Sequence, residues 1–443
     1  MALVGFLRAG ARASIPRGFL AGLQLLGRAL PVFMLAMLLV LVAIFQPWLA
    51  FGMSQSEPFD LRDQFSHLVL PVLSLAIPFG AWASLIFYEI SFAAGTASRS
   101  LRSIIAAIPL AAALIGPPLL AASIMIEPMF AWPGMSRLYY DAILESDYGV
   151  VAGYLLAYCV CVVLIKLCSE FSPGMSDRAL PQQPGSRLMP TSRTRRVSAA
   201  GIIASVVLVL AAIGAVSANL FAPVGPYLID QAHWVGYPLA PGVAGHPLGT
   251  DENGRDLLAR VLVGLRTSLG IASVATVVAT AIAAVVAKAT ANLTWLDERG
   301  ALSVTGIRPF AALPIIQAAA LVLFARGYER ALLTPLGIAL TIAAVSWPAI
   351  VPAFRALRRA TLGSVVGLAA CALLLEVTLS AGRLGVRPPD PSLGNMLENA
   401  QSNLMHGPWI VLVPSVVVVA LLFALYAIAD ELHDFPTLPT ETE

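Results

Sequence analysis

The sequence predicts an all-α fold: a polytopic helical membrane protein with about ten transmembrane helices in two pseudo-symmetric halves. Three observations carry that expectation. Hydrophobic residues make up 58% of the 443 and charged residues only 12%, about half the charged share of a soluble domain. The mean hydropathy is +0.83. The apolar residues fall into runs of about twenty, each able to cross a hydrocarbon core of about 30 Å. Such a composition excludes a soluble enzyme. The net charge of +2 comes with none of the basic, aromatic-interleaved surface of a nucleic-acid binder, so nucleic acid is not an expected partner.

The first run, Ala29 to Phe51, is followed by a short polar loop holding Glu57, Asp60, Arg62 and Asp63. A second covers His67 to Tyr88 and a third Ser103 to Ile126, separated by the polar stretch Ser91 to Arg102. The aromatic segment Met129 to Tyr148 does not span, and Trp132, Pro133, Tyr139 and Tyr140 suit an outer interfacial hairpin. Gly149 to Leu167 is the fourth span. Between Ser169 and Ser198 the chain is rich in Pro, Ser, Gly and Arg, which neither bury a core nor sit in lipid. The chain therefore divides into a first half, 1–170, a cytoplasmic linker, 171–198, and a second half, 199–443. The second half opens with Ala199 to Phe221 and a long polar segment reaching Arg266. Five further spans follow at Ser268 to Ala289, Arg308 to Ala325, Ala331 to Phe354, Leu362 to Ala381 and Pro408 to Ala429, before the acidic tail Asp430 to Glu443. Prolines inside spans, such as Pro31, Pro71, Pro78, Pro109, Pro314 and Pro348, are admissible because neighbouring helices and water re-satisfy a kinked backbone.

Orientation follows from the short loops. With the amino terminus inside, most of the 27 Lys and Arg fall on the inner side, from Arg8, Arg12, Arg17 and Arg28 through Arg193 to Arg196 to Arg355, Arg358 and Arg359. Both termini are thus expected in the cytoplasm. No compact apolar stretch with a small-residue cleavage site follows the first arginines, so no cleaved signal peptide is expected. The four cysteines read as packing residues rather than a disulfide scaffold. The histidines are dispersed without ligand spacing, so no metal site is expected. No GxxxxGK[ST] loop is present, so the chain is not expected to hydrolyse ATP.

The most distinctive stretch is His246 to Arg266, HPLGTDENGRDLLARVLVGLR. Gly249, Gly254 and the polar residues around them suit a tight loop, and Asp251, Glu252, Arg255, Asp256 and Arg260 can pair at the membrane surface. From Asp256 onward the leucines share one helical face, which predicts an interfacial helix with Arg260 and Arg266 reaching water or headgroups.

This stretch closely resembles the signature of the C-type permease subunit of dipeptide and oligopeptide ABC importers, in which HPLGTD, two residues, then GRD precede the second membrane helix. His246, Pro247, Gly249, Thr250, Asp251, Gly254, Arg255 and Asp256 carry the match. Leu384 to Leu397, LGVRPPDPSLGNML, is similar to the outer loop before that family's last helix, through Gly385, Pro388, Pro389, Gly394 and Asn395. In the first half, HLVLP at His67 to Pro71, EPMFAWPGMSRL at Glu127 to Leu138 with Trp132, Pro133 and Gly134, and DYGVV at Asp147 to Val151 resemble the partner B-type subunit. The resemblance implies a B-type subunit fused to a C-type subunit, serving as the membrane-spanning permease of an importer for peptides or similar small solutes in the bacterial cytoplasmic membrane. It further implies alternating access, separate ABC ATPase subunits and an extracytoplasmic substrate-binding protein as partners, and no cofactor.

Three departures stand against the family pattern. The first half begins near the family's third helix. The cytoplasmic loop that docks into the ATPase is represented only by Glu89 to Arg102, where Glu89, Gly95, Arg99 and Arg102 are the coupling candidates, and by Arg355, Arg358 and Arg359, which lead almost straight into the next span. Alanines replace expected glycines in AIAAVVAKATANL. A degenerate, non-transporting permease acting as a scaffold or regulatory subunit is the alternative these departures support. Ionisable residues at membrane depth call for a role. Glu127 and Glu376 either line a substrate pathway or satisfy helix backbone or an arginine such as Arg137 or Arg383, whereas Lys166 and Lys288 sit at span ends and snorkel.

Overall fold

The computed structural model describes residues 17–44, 61–93, 101–145, 147–170, 199–218, 225–233, 236–289, 334–347, 350, 351, 354 and 360–433. Helices dominate: α1 (Arg17–Ala29), α2 (Val32–Ile44), α3 (Leu61–Ala93), α4 (Leu101–Met129), α5 (Met135–Glu145) and α6 (Tyr148–Glu170) form the first half. The second half holds α7 (Ala199–Val216), α8 (Leu257–Ala289), α9 (Pro335–Ser346), α10 (Ala360–Ala381), α11 (Ala400–His406) and α12 (Pro408–His433). Among the described residues there is no strand, only the isolated bridges Ile229 to Arg255 and Thr250 to Asp256.

Seven of these helices, α3, α4, α6, α7, α8, α10 and α12, are long and apolar enough to cross a membrane. They coincide with seven of the expected spans. Two more spans appear as shorter apolar helices, α2 and α9, and Arg308 to Ala325 lies outside the described residues, as do the linker 171–198 and Pro348. The first expected span needs correction. Pro31 does not sit inside a helix; it separates α1 from α2, because a proline offers no N–H to continue the ladder while its own carbonyl still accepts from Leu35 N–H at 3.0 Å. The segment before Ser268 is also corrected. It is no separate interfacial helix but the first turns of α8, which runs unbroken for 33 residues.

Within the second half, α10 is the buried centre. Residues such as Leu373, Leu375 and Val377 are fully enclosed, and α8, α9 and α12 pack around them. In the first half, α3 packs on α1, α2 and α4, and α4 on α5 and α6. A single apolar core runs through both halves, joining Phe33 and Ile126 to Leu373 and Leu421. Apolar side chains on the outer faces of α6 and α7, such as Leu156, Val163, Ile203 and Leu210, are exposed. A helix face that is apolar yet uncovered is what lipid contact requires.

The two halves share one local device. α4 and α10 both end in a cap with a left-handed residue, Ala131 at φ 51° and Arg383 at φ 65°. In each, the next residue's N–H reaches back five positions, from Trp132 to Glu127 at 2.8 Å and from Leu384 to Leu379 at 2.9 Å. The capping residue itself reaches back three, from Ala131 to Pro128 at 3.1 Å and from Arg383 to Ser380 at 3.3 Å. This pairing of bonds satisfies the last carbonyls and turns the chain sharply outward.

Candidate functional site

The expected outer-loop residues of the second half fold into one hydrogen-bonded knot at the start of α8. Gly249 sits at φ +80°, and a Cβ there would overlap the carbonyl oxygen of Leu239 and lie 3.0 Å from Trp409 Nε1. Only glycine meets both demands without strain. The strand-like crossing is closed by Thr250 N–H to Leu239 O at 3.1 Å and Leu239 N–H to Thr250 Oγ1 at 2.8 Å. Trp409, at the start of α12, donates its indole N–H to Thr250 O at 3.3 Å.

Two aspartates organise the turn. Asp251 Oδ1 accepts the N–H groups of Asn253 and Arg255, both at 2.9 Å, and its Oδ2 pairs with Arg260 Nε at 3.2 Å. Burial raises the Asp251 carboxyl above its ordinary value, against the lowering pull of the Arg255 N–H and Arg260. Asp256 Oδ2 caps α8 through Ala259 N–H at 2.8 Å, satisfying one of the orphan donors of the first turn. Its Oδ1 lies 2.7 Å from His246 Nδ1, while His246 Nε2 lies 3.2 Å from Asp230 Oδ2. His233 Nδ1 approaches the same Asp230 oxygen at 2.9 Å.

An imidazole with a carboxylate at each nitrogen is satisfied only as the cation, since both nitrogens must then donate. Burial opposes that charge, but the bonds to Asp256 and Asp230 outweigh it, and the His246 pKa is raised above 6.5. Asp230 is correspondingly lowered, to about 2, chiefly by its bond with His233. Arg260 is corrected from the expectation that it reaches water. It is 5% exposed, because Asp251 holds it and its Nη1 approaches the carbonyls of Pro226 at 3.4 Å and Pro389 at 3.5 Å. Arg266, by contrast, is exposed.

That reach to Pro389 brings together the two outer motifs of the second half. Tyr227 Oη donates to Asp390 Oδ1 at 2.9 Å, and Asn399 Nδ2 to Glu252 Oε1 at 3.4 Å. Within 384–397, Asn395 is the hinge of the hydrogen bonding. It accepts Ser392 N–H at 3.0 Å, donates to Val386 O at 3.2 Å and to Asp390 O at 2.6 Å, and gives its own N–H to Ser392 Oγ at 3.1 Å. Gly385 and Gly394 both press against Ser380 so closely that neither has room for a Cβ. Pro388 lies in the same loop, and Leu393 N–H donates to Ser268 Oγ at 3.1 Å.

Glu376 lies beneath this loop, fully enclosed, with Oε1 accepting from Ser380 Oγ at 2.9 Å and Ser268 and Ser392 also turned to its carboxyl. Those three serines each accept a backbone N–H from residues 386–395. Glu127 is half-buried and accepts Arg137 N–H at 3.0 Å, capping the first turn of α5, and Gly134 packs so tightly on it that a Cβ would collide. Glu127 thus accepts a backbone N–H, whereas the Glu376 carboxyl is held by serine hydroxyls. Arg137 pairs instead with Asp141 at 3.8 Å, and Arg383 with Glu398 at 2.8 Å. Trp132 and Pro133 form the turn between α4 and α5, and Tyr139 is fully buried, stacked on Tyr154 at 4.3 Å. Burial and then Tyr154 push its hydroxyl pKa up.

The second half's two motifs are thus assembled into one platform, and the first half's Trp132–Gly134 turn lies at the end of α4. Of the coupling candidates, Gly95, Arg99, Arg355, Arg358 and Arg359 lie outside the described residues, and Glu89 and Arg102 are described only as helical positions in α3 and α4. Asp230, His233, Tyr227 and Asp390 belong to the platform without having been expected. Tyr227, Asp230 and His233 precede the His246 motif by 13 to 19 residues and carry no spacing signal, whereas Asp390 lies inside the Leu384 to Leu397 stretch. Among the described residues no cluster fit to hold a metal ion was found.

The chain is similar to permease proteins of peptide transport systems. A protein of Brucella ovis named as a peptide permease is 28% identical over 199 residues, covering 39% of this chain and 61% of that protein. The oligopeptide transport system permease protein OppC of Mycobacterium tuberculosis is 24% identical over 251 residues, covering 49% of this chain and 84% of the relative. The dipeptide transport system permease protein DppB of Escherichia coli is 37% identical over 57 residues, or 13% of this chain and 17% of the relative. No protein-family profile matches the chain. The chain spans about three fifths of the length of the Brucella relative.

Proposed function

We propose that the chain is the membrane-spanning permease component of an ABC importer for peptides or similar small solutes, with a B-type half, 1–170, and a C-type half, 199–443, joined by the cytoplasmic linker 171–198. The observation that carries this reading is the outer platform. Residues His246 to Asp256 and Gly385 to Asn395, the stretches that resemble the family signature, are the ones whose side chains and glycines build a buried hydrogen-bonded loop pair on the ends of membrane-length helices. A rigid polar surface on a helix bundle is what an extracytoplasmic binding protein can deliver solute to. Seven membrane-length helices and the similarity to peptide, oligopeptide and dipeptide permeases support the same reading.

In this mechanism the chain supplies the pathway and separate ATPase subunits the energy. They would engage the inner side at Glu89 to Arg102 and Arg355 to Arg359, with both termini cytoplasmic. Glu376 lies beneath its loop and Glu127 at the end of α4, where parting of the halves would expose both carboxyls to a peptide amine. Gentle detergent purification of the tagged chain from its native membrane, with mass spectrometric identification of stoichiometric partners, tests the reading. ATPase subunits are the expected companions. Their absence, where an intact related permease keeps its own, would overturn it in favour of a non-transporting scaffold.

A further inference from the structure

Arg28 stands where the first described helix meets the last. It lies in the last turn of α1 and is 9% exposed. Its Nη1 donates to Asp430 Oδ1 at 3.4 Å, and its Nη2 donates to Asp430 Oδ2. The ring of Trp82, on α3, lies 5.6 Å from the guanidinium carbon, and that of Tyr426, on α12, lies 5.8 Å away. The two rings meet edge to face at 6.0 Å. A planar guanidinium suits both tasks, stacking on aromatic faces while forking to a carboxylate.

The neighbouring residues fix α1 on α3. Gly27 lets the helices approach so closely that a Cβ there would lie 2.5 Å from Ala81 Cβ, and Gln24 Nε2 donates to Ser84 Oγ at 2.8 Å. α1 and α3 therefore present Arg28 as one unit to α12. Along α12, Asp430 lies some twenty residues beyond Trp409, about 30 Å at 1.5 Å per residue. The cage is thus a membrane thickness away from the outer platform.

The halves also touch near the outer end, but there the contact is apolar. Leu384 joins the cluster of Ile124, Tyr139 and Val151, and Gly382 approaches Met125 Cε. The cage differs in being charged and one-sided in its hydration. Asp430's side chain is 50% exposed while that of Arg28 is 8% exposed. Water can take over the carboxylate when the pair separates, so breaking it does not strand an anion away from solvent.

We propose that Arg28, held between Trp82 and Tyr426 and paired with Asp430, is a releasable latch that joins the two halves at the end of the bundle opposite the outer platform. It opens when the halves part during transport. The gating role rests on the permease reading; the latch does not.

The latch is tested first without transport, by hydrogen–deuterium exchange on the full chain in nanodiscs. Arg28→Ala and Asp430→Asn are each expected to raise exchange of α1 amides by about tenfold. The double variant should show no more than the larger single effect, because both remove one interaction. Arg28→Lys should fall between, keeping the charge but not the planar fork. Unchanged exchange in both single variants, or effects that sum in the double, overturns the latch. Should Arg28→Ala fail to fold, the near-isosteric Asp430→Asn carries the same test.

The gating role is tested by joining Arg28→Cys to Asp430→Cys with a cleavable bifunctional thiol reagent, after replacing Cys159, Cys161 and Cys168 by Ser. Uptake of a labelled dipeptide is expected to stop on cross-linking and return on cleavage. Uptake that survives complete cross-linking overturns gating. Absence of uptake by the unaltered chain, with its partners present, overturns the permease reading instead and leaves the exchange result standing.

Discussion

Two glycines with nearly the same φ allow the outer knot to be tested by difference. Gly249 has φ +80° and Gly245 φ +83°. A Cβ at Gly245 meets nothing within 4 Å, whereas at Gly249 it overlaps Leu239 O and lies 3.0 Å from Trp409 Nε1. Alanine at either position incurs the left-handed penalty, about 1 kcal/mol. At Gly249 it must in addition displace backbone that is hydrogen-bonded on both sides, which costs roughly 2 kcal/mol more. The purified chain, melted in detergent and followed by tryptophan fluorescence, should therefore show Gly249→Ala melting below Gly245→Ala by on the order of 5 °C. Limited proteolysis should cut residues 236–256 of the first variant sooner. Equal melting of the two variants would refute the claim that close packing against Leu239 and Trp409, rather than the glycine conformation alone, holds the knot.

Further outcomes follow from the same geometry. His246 has a pKa raised above 6.5, so its contribution is fully present below about pH 6.5 and is lost as pH rises through the higher folded value. Thermal melting from pH 5 to 9 should fall more steeply for the unaltered chain than for His246→Gln. Asp230, lowered to about 2 from 3.8, contributes above pH 3.8 and loses that contribution as pH falls toward 2, which acid titration of Asp230→Asn against the unaltered chain will read. Ala131→Gly should stabilise by about 1 kcal/mol in chemical denaturation, since it relieves a left-handed alanine in an otherwise intact cap. Gly134→Ala should destabilise α5 by pushing Glu127 off Arg137 N–H. Glu127→Gln, which keeps an acceptor oxygen, should cost under about 1 kcal/mol.

The sequence made the spans legible where length and composition act alone. α3, α4, α6, α7, α8, α10 and α12 match runs of apolar residues because no partner is needed to explain them. The motif around Gly249 was legible as a tight loop for the same reason: glycine at a left-handed position leaves a local mark. What was not legible depends on distant partners. Arg260 and Arg28 both look like surface cations in the sequence, and both are buried because aspartates brought in by the fold, Asp251 and Asp430, receive them. His246 gave no hint of its charge, since Asp230 reaches it from another turn. The burial of Tyr139 was not legible either, because it is the packing of α6 that encloses it.

The two segments that carry a glutamate before a loop differ in detail. Both contain a glutamate before an outer loop, yet α4 ends at Met129, two residues past Glu127, while α10 runs on to Ala381, five past Glu376. The extra turn sinks Glu376 beneath its loop and leaves Glu127 half-buried, so the same residue type caps a helix in one half and gathers three serines in the other.

α8 begins at Leu257, immediately after the residue that binds His246 and caps the helix, and runs without a break to Ala289. At 1.5 Å per residue its 33 residues make a rod of about 50 Å, some 20 Å longer than the hydrocarbon it crosses. Such a rod contains no proline to kink it, so a push at one tip is carried along its length. A tilt of a few degrees imposed on Asp256 by a docking protein would therefore swing the far end sideways by several ångströms. The loop that looks like a static fastening is also the short arm of a lever.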